Sequence, residues 1–176
     1  LAVGPVWEFG AAHDFAFSDQ ALATCHAGAE TVASNIAASR ATSAQLDLDG
    51  LGGELRPFQR AGVAYAMHNK RIFLADEMGL GKTVQALATL HGVSSFPAIV
   101  VCPSSLKLNW QREATTWLPD RRVEVLSGLA NGTRRALVTR LRQADVIVIN
   151  YDILNSWLDV LKDLHPQAVV FDESHY

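Results

Sequence analysis

The sequence predicts an α/β fold: an open, mostly parallel sheet with crossover helices, preceded by a small helical segment. Two patterns predict the sheet. From Leu55 onward, short apolar runs alternate with helix-like stretches, the rhythm of repeated strand–helix units. Runs such as Ile99-Val100-Val101 and Val146-Ile147-Val148-Ile149 contain no alternating polar residue, as expected of parallel strands covered by helices on both faces. A third observation points to the working edge. The tract Asp76–Thr83, rich in glycine, lies between one apolar run and one helix-like stretch, and ligand crevices in such sheets open beyond strand ends.

Residues 1–50 read as a helical accessory segment and linker, and 51–176 as the α/β domain. In the first part, Ser18 is a candidate N-cap for a helix from about Asp19 to Arg40. Its apolar stripe would be Ala21, Leu22, Cys25 and Ala29, continued by Val32 and Ile36. Asp-Gly and Gly-Gly between Asp47 and Gly53 punctuate a linker. Pro57 then suits the first turn of a helix whose face carries Phe58, Ala61, Gly62, Tyr65 and Ala66. Predicted strands follow at Ile72–Ala75, Ala98–Cys102, Arg122–Leu126, Asp145–Ile149 and Ala168–Phe171. The helices between them are Lys82–His91, Ser105–Trp117, Thr133–Gln143 and Ile153–Leu164. Pro97, Pro103, Pro119 and Pro166 all fall between elements, where a missing N–H does no harm.

Composition narrows the class. The 176 residues are 49% hydrophobic, enough for one domain with a real core. No segment reaches the roughly 18 apolar residues of a membrane span, and the first residues lack a signal-peptide pattern. Cys25 and Cys102 match no metal-binding spacing. Cys102 ends an apolar run and reads as a buried free thiol, in keeping with a reducing, intracellular setting (nucleus in a eukaryote, cytoplasm or nucleoid in a bacterium). Net charge is −3, unevenly spread: residues 1–50 carry −5 and the remainder +2. Any polyanion contact must therefore be local.

The chemistry is concentrated in two tracts. Asp76-Glu77-Met78-Gly79-Leu80-Gly81-Lys82-Thr83 departs from a glycine-first phosphate loop at Asp76, but its second half keeps the needed parts. Gly79 and Gly81 permit tight turns with backbone N–H groups facing a phosphate, and the following helix adds its positive end. Lys82 is placed to reach β- and γ-phosphates, and the Thr83 hydroxyl to ligate magnesium. The second tract, Asp172-Glu173, follows the strand-like run Ala168-Val169-Val170-Phe171. A carboxylate there can bind magnesium, and Glu173 can orient and deprotonate water. Without the loop upstream, the pair would be an ordinary solvated turn.

These blocks resemble the superfamily 2 helicase-like ATPases, and among them the Snf2 family of double-stranded-DNA translocases. The resemblance covers Leu55 to Tyr176. Leu55–Val63 is similar to that family's adenine-recognition segment, and Asp76–Thr83 to its phosphate loop, Asp76 included. Ile99–Leu106 with Asn109, Trp110 and Glu113 looks like motif Ia and its helix. Val148–Asp152 resembles the next DNA-side block, with Asn150 where Thr or Ser is usual. Asp172-Glu173-Ser174-His175 resembles a DEAH-type motif II with serine third, closest to the annealing-helicase branch. The resemblance implies a RecA-like phosphate-loop NTPase fold, here the first lobe up to motif II, with ATP and Mg2+ as cofactors. It implies Gln59 at the adenine edge with Arg60 near the nucleotide, and Gly79, Gly81, Lys82 and Thr83 on the phosphates and metal. Asp172 would hold magnesium and Glu173 would be the general base. Ser104, Lys107, Asn150 and Tyr151 would lie toward the DNA backbone, and His175 would couple nucleotide state to a second lobe.

Read as residues alone, the DNA-side group leaves alternatives open. Ser104-Ser105 can donate to a phosphate or simply cap a helix, and Tyr151 can face a groove or the core. Arg134, Arg135, Arg140 and Arg142 read as a solvated helix surface, and Trp110 and Trp117 as packing residues. Motif III and a second lobe with its arginine fingers are expected beyond Tyr176, so this stretch alone should be nearly inert while the longer protein is an ATPase motor. Two other readings fit less of the chain. A small nucleotide kinase or GTPase would leave Leu55–Val63 unexplained. A non-catalytic ATP-binding or interaction domain would not need Lys82, Asp172 and Glu173 together.

Overall fold

A computed structural model describes residues 12–13, 18–69, 71–77, 79–127 and 134–174. The chain divides into two compact units, Leu1–Thr42 and Ser43–Tyr176. In the first unit, α1 (Asp19–Ser39) begins at the expected cap: the Ser18 side chain accepts from the Ala21 N–H at 3.3 Å. Of its expected apolar stripe, Ala21, Leu22 and Ala29 are half-buried. Val32 and Ile36 are exposed, so α1 owes its form to capping and alanine content more than to packing.

The second unit carries α2 (Pro57–His68), α3 (Lys82–Gly92), β1 (Ala98–Cys102), a 3-10 turn (Ser104–Leu106), α4 (Lys107–Trp117), β2 (Val123–Val125), α5 (Arg134–Leu141), β3 (Val146–Asn150), α6 (Tyr151–Asp163) and β4 (Ala168–Phe171). The four strands form one sheet in the order β2-β3-β1-β4, every neighbour parallel. Ala98 is level with both Val146 and Ala168, so the strand ends at Cys102, Asn150 and Phe171 come out along one sheet edge. The period of two along β1 divides the core. Ile99 and Val101 face Leu141, Trp157 and Leu161 from α5 and α6. Val100 and Cys102 face Leu87, Trp110 and Ala114 from α3 and α4. A smaller cluster of Leu55, Val63, Val84 and Ala88 joins α2 to α3.

Two expectations need correction. Ile72–Ala75 is not a strand. It runs into the glycine loop without joining the sheet, and Phe73 is 80% exposed. An apolar run becomes a strand only where a neighbour takes its N–H and C=O groups, and β4 is bonded to β1 alone. The helix expected from Ile153 starts two residues earlier, at Tyr151, with Asn150 as its N-cap. β4 itself alternates: Val169 and Phe171 are 47% and 57% exposed, unlike the fully covered β1 and β3.

Candidate nucleotide-binding site

The phosphate loop is set by two left-handed glycines. Gly79 has φ +83° and Gly81 φ +77°, a region that costs an L-residue about 1–2 kcal/mol. At Gly81 a side chain would also meet Gln59, because a Cβ there would lie 2.5 Å from Nε2. Gly81 is the N-cap of α3, so Lys82 and Thr83 occupy the first turn, where helix N–H groups lack intrahelical partners. Lys82 Nζ donates to the carbonyl oxygens of Asp76 at 2.8 Å and Glu77 at 3.0 Å. A bound phosphate would have to displace these neutral acceptors, which a charged oxygen can do.

Gln59 links the loop to α2. Its Nε2 donates to the Leu80 carbonyl at 3.1 Å, and its Oε1 accepts the Arg56 N–H at 3.0 Å. Arg60, beside it, donates from Nε to the Leu55 carbonyl at 3.1 Å. A second tie was not legible as a site in the sequence. Gln85 on α3 is wholly buried, and its Nε2 donates to Asp76 Oδ2 at 2.8 Å. The position that departs from the glycine-first pattern is therefore where the loop is fastened to its own helix. The other amide atom, Gln85 Oε1, is buried without a hydrogen-bond partner.

The second half of the site lies at the sheet edge. Asp172 continues β4, and its N–H donates to the Val101 carbonyl at 2.8 Å. The Trp110 indole N–H donates to Asp172 Oδ2 at 2.7 Å, and the Tyr151 hydroxyl to the Asp172 carbonyl at 2.8 Å. Glu173 follows with φ +52°, a left-handed value unusual for a side-chain-bearing residue and concentrated at functional positions. Beside them, Lys107 Nζ donates to the Leu126 carbonyl at 3.0 Å and to Asn150 Oδ1 at 2.9 Å, while Asn150 Nδ2 donates to Asp152 at 2.6 Å. Burial, reinforced by the Asp172 charge and opposed by Lys107, pushes the Cys102 thiol up to about 11. The Tyr151 hydroxyl is raised too, mainly by burial and next by Asp172.

The structure thus brings Gln59 to the loop that carries Gly79, Gly81, Lys82 and Thr83, leaves Arg60 next to it on α2 but bonded to Leu55, and sets Asp172 and Glu173 at the end of β4. The DNA-side candidates divide. Ser104 is exposed, while Lys107, Asn150 and Tyr151 hydrogen-bond within the chain. His175 lies outside the described residues. Of the arginines read as surface, Arg134 stacks 4.7 Å over Trp157 and Arg140 pairs with Glu124 at 3.1 Å. Trp110 is packed as expected, but it also has a polar partner that spacing alone did not reveal. The donor set suits magnesium: the Thr83 hydroxyl and the Asp172 carboxylate are hard oxygens, and magnesium is usually held by few protein groups plus phosphate oxygens.

A parallel sheet with covering helices, a left-handed glycine loop feeding a helix at Lys82-Thr83, and a carboxylate pair at a strand end define a RecA-like nucleotide-binding domain. The chain belongs to the SNF2-related domain family, which matches residues 58–176. It is 37% identical over 134 residues to the human DNA annealing helicase and endonuclease ZRANB3, covering 73% of this chain and 12% of that protein. It is 34% identical over 128 residues to a Xenopus tropicalis SWI/SNF-related matrix-associated actin-dependent regulator of chromatin subfamily A-like protein 1, covering 72% and 13%. Among solved structures it resembles the Sulfolobus solfataricus SWI2/SNF2 ATPase core in complex with dsDNA, with TM-score 0.59, 27% identity and coverage of 73% and 28%. The core domain of the same protein aligns with TM-score 0.61 and 29% identity, covering 73% of this chain and 27% of that one. The chain spans only about an eighth of the length of these curated relatives.

Proposed function

We propose that this chain is the ATP-binding part of a DNA-dependent ATPase that translocates on double-stranded DNA and remodels DNA or protein–DNA complexes. The observation that carries the reading is the phosphate loop. Its two left-handed glycines lead into Lys82 and Thr83 at the first turn of α3, within a stretch matched by the SNF2-related family. Lys82 would hold the β- and γ-phosphates, Thr83 and Asp172 would hold Mg2+, and Glu173 would take the proton of the attacking water. Gln59 and Arg60 would meet the base side of the nucleotide, with His175 coupling the site to a second lobe. When bound, magnesium would neutralise charge on the transferred phosphate. The chain's own residues position the loop, the carboxylates and the water.

DNA would run past Ser104, Lys107, Asn150 and Tyr151. Lys107 has three donors and uses two internally, so the third can serve a phosphate from a fixed position. Such contacts orient a duplex without reading its sequence. The solved relative's complex with double-stranded DNA supports this partner. The test is steady-state ATP hydrolysis by the protein at its natural length, with and without duplex DNA. Stimulation by DNA of any sequence is expected. Equal rates, or a preference for GTP, would overturn the reading.

A further inference from the structure

We infer that Trp110 is a positioning residue for the magnesium carboxylate, Asp172, and not only a core side chain; the inference rests on the nucleotide reading above. Asp172 is held at three points. Its N–H is bonded to Val101, its carbonyl oxygen to the Tyr151 hydroxyl, and its carboxylate Oδ2 to the Trp110 indole at 2.7 Å. The first two fix the backbone. Trp110 alone among these fixes the carboxylate plane.

The indole suits that task. Tryptophan has a single polar atom, a donor that cannot become an acceptor and does not titrate, so its bond to a carboxylate points one way under all conditions. Trp110 is 2% exposed and packs with Val100, Cys102 and Ala114 between α4 and the sheet. Turning the ring would open a void in a close-packed core. With Oδ2 accepting from the indole, Oδ1 would be the carboxylate oxygen left clear of that bond, and Asp172 would hold magnesium from a side chain already oriented by the core. Leu87 of α3 lies in the same cluster, so the helix that begins with Lys82 and Thr83 and the ring that orients Asp172 share one packing unit. Groups that hydrogen-bond metal ligands typically contribute about 10- to 100-fold to metal affinity.

The experiment titrates a fluorescent ATP analogue into the chain at a series of MgCl2 concentrations, for wild type, Trp110→Phe, Asp172→Asn and the double variant. Trp110→Phe keeps most of the apolar body and removes the N–H. The Mg2+ concentration for half-maximal nucleotide binding should rise roughly 10-fold or more, while Mg2+-free affinity stays within about 2-fold. In the Asp172→Asn background, Trp110→Phe should add almost nothing, since the two changes break one interaction. The Trp110 indole N–H resonance, assigned in wild type by its contacts with Val100 and Ala114, should also shift in Asp172→Asn, a readout independent of binding and of the folding of Trp110→Phe. Unchanged Mg2+ dependence in a folded Trp110→Phe would overturn the inference. So would a loss of affinity equal with and without Mg2+, or a Trp110 resonance indifferent to Asp172→Asn. Wild type binding no nucleotide at all would overturn the nucleotide reading itself.

Discussion

At the scale of single residues, Lys82 and Glu173 have separable tasks. Lys82 already makes two charge-assisted bonds to loop carbonyls, so its amine is held over the loop. Lys82→Ala should weaken nucleotide binding by roughly 10- to 100-fold, the worth of a hydrogen bond to a charged group, and turnover should fall with it. Glu173→Gln keeps size and removes basicity. It should lower turnover about 10²- to 10⁴-fold with nucleotide affinity little changed. Measuring affinity beside turnover in the natural-length protein separates them, and normal hydrolysis by Glu173→Gln would assign the base elsewhere. Cys102 gives a test without nucleotide. A thiol raised from 9.0 to about 11 holds roughly 100-fold less thiolate at neutral pH than its reference value would. Its alkylation should be slow and should climb about tenfold per pH unit below that value, followed by peptide mapping. Rapid labelling at pH 7 would contradict the burial that raises it.

At the scale of elements, the phosphate loop is a stretch of backbone fastened to two helices. Gln59 ties Leu80 to α2, and Gln85 ties Asp76 to α3. Asp76→Ala would strip the remaining partner from a wholly buried amide, so stability should drop by about 1–3 kcal/mol and nucleotide binding should weaken as the loop loosens. A melting curve and a nucleotide titration decide this; an unchanged melting temperature would show that the bond contributes nothing. Periodicity made some of this legible and concealed the rest. β1 and β3 were readable because unbroken apolar runs mark strands buried on both faces, as both are. Pro57 and Ser18 announced helix starts through local chemistry that needs no tertiary partner. Ile72–Ala75 looked the same in sequence, yet strand identity depends on a neighbour's hydrogen bonds, which no local pattern encodes. The loop glycines, Lys82 and Thr83 were legible because their spacing is their chemistry. Asp76–Gln85 and Trp110–Asp172 were not, since both meet only after folding, the latter across 62 positions.

At the scale of the whole molecule, stability is unevenly distributed between the two units. All three core clusters draw their members from Leu46 onward, and the sheet, the loop and the Asp172 contacts lie in Ser43–Tyr176. The first unit is dominated by α1, whose Val32 and Ile36 stand exposed. A helix that buries little is held by capping and propensity, and isolated helices are marginal in water. Removing residues 1–42 should therefore leave a folded 43–176 with a cooperative transition, its midpoint moved by less than about 3 °C, under roughly 1 kcal/mol in a domain of this size. Fluorescent nucleotide should bind within about 2-fold of the intact chain, because no group proposed to touch it is removed. In the intact chain, amides of α1 should exchange with solvent long before those of β1 and β3, whose residues are buried throughout. Thermal melts, nucleotide titration and hydrogen exchange on the two lengths test this together. Loss of folding, or of nucleotide binding, on removing 1–42 would show that the accessory segment belongs to the ATP-binding unit, although none of its described residues stands in the core clusters.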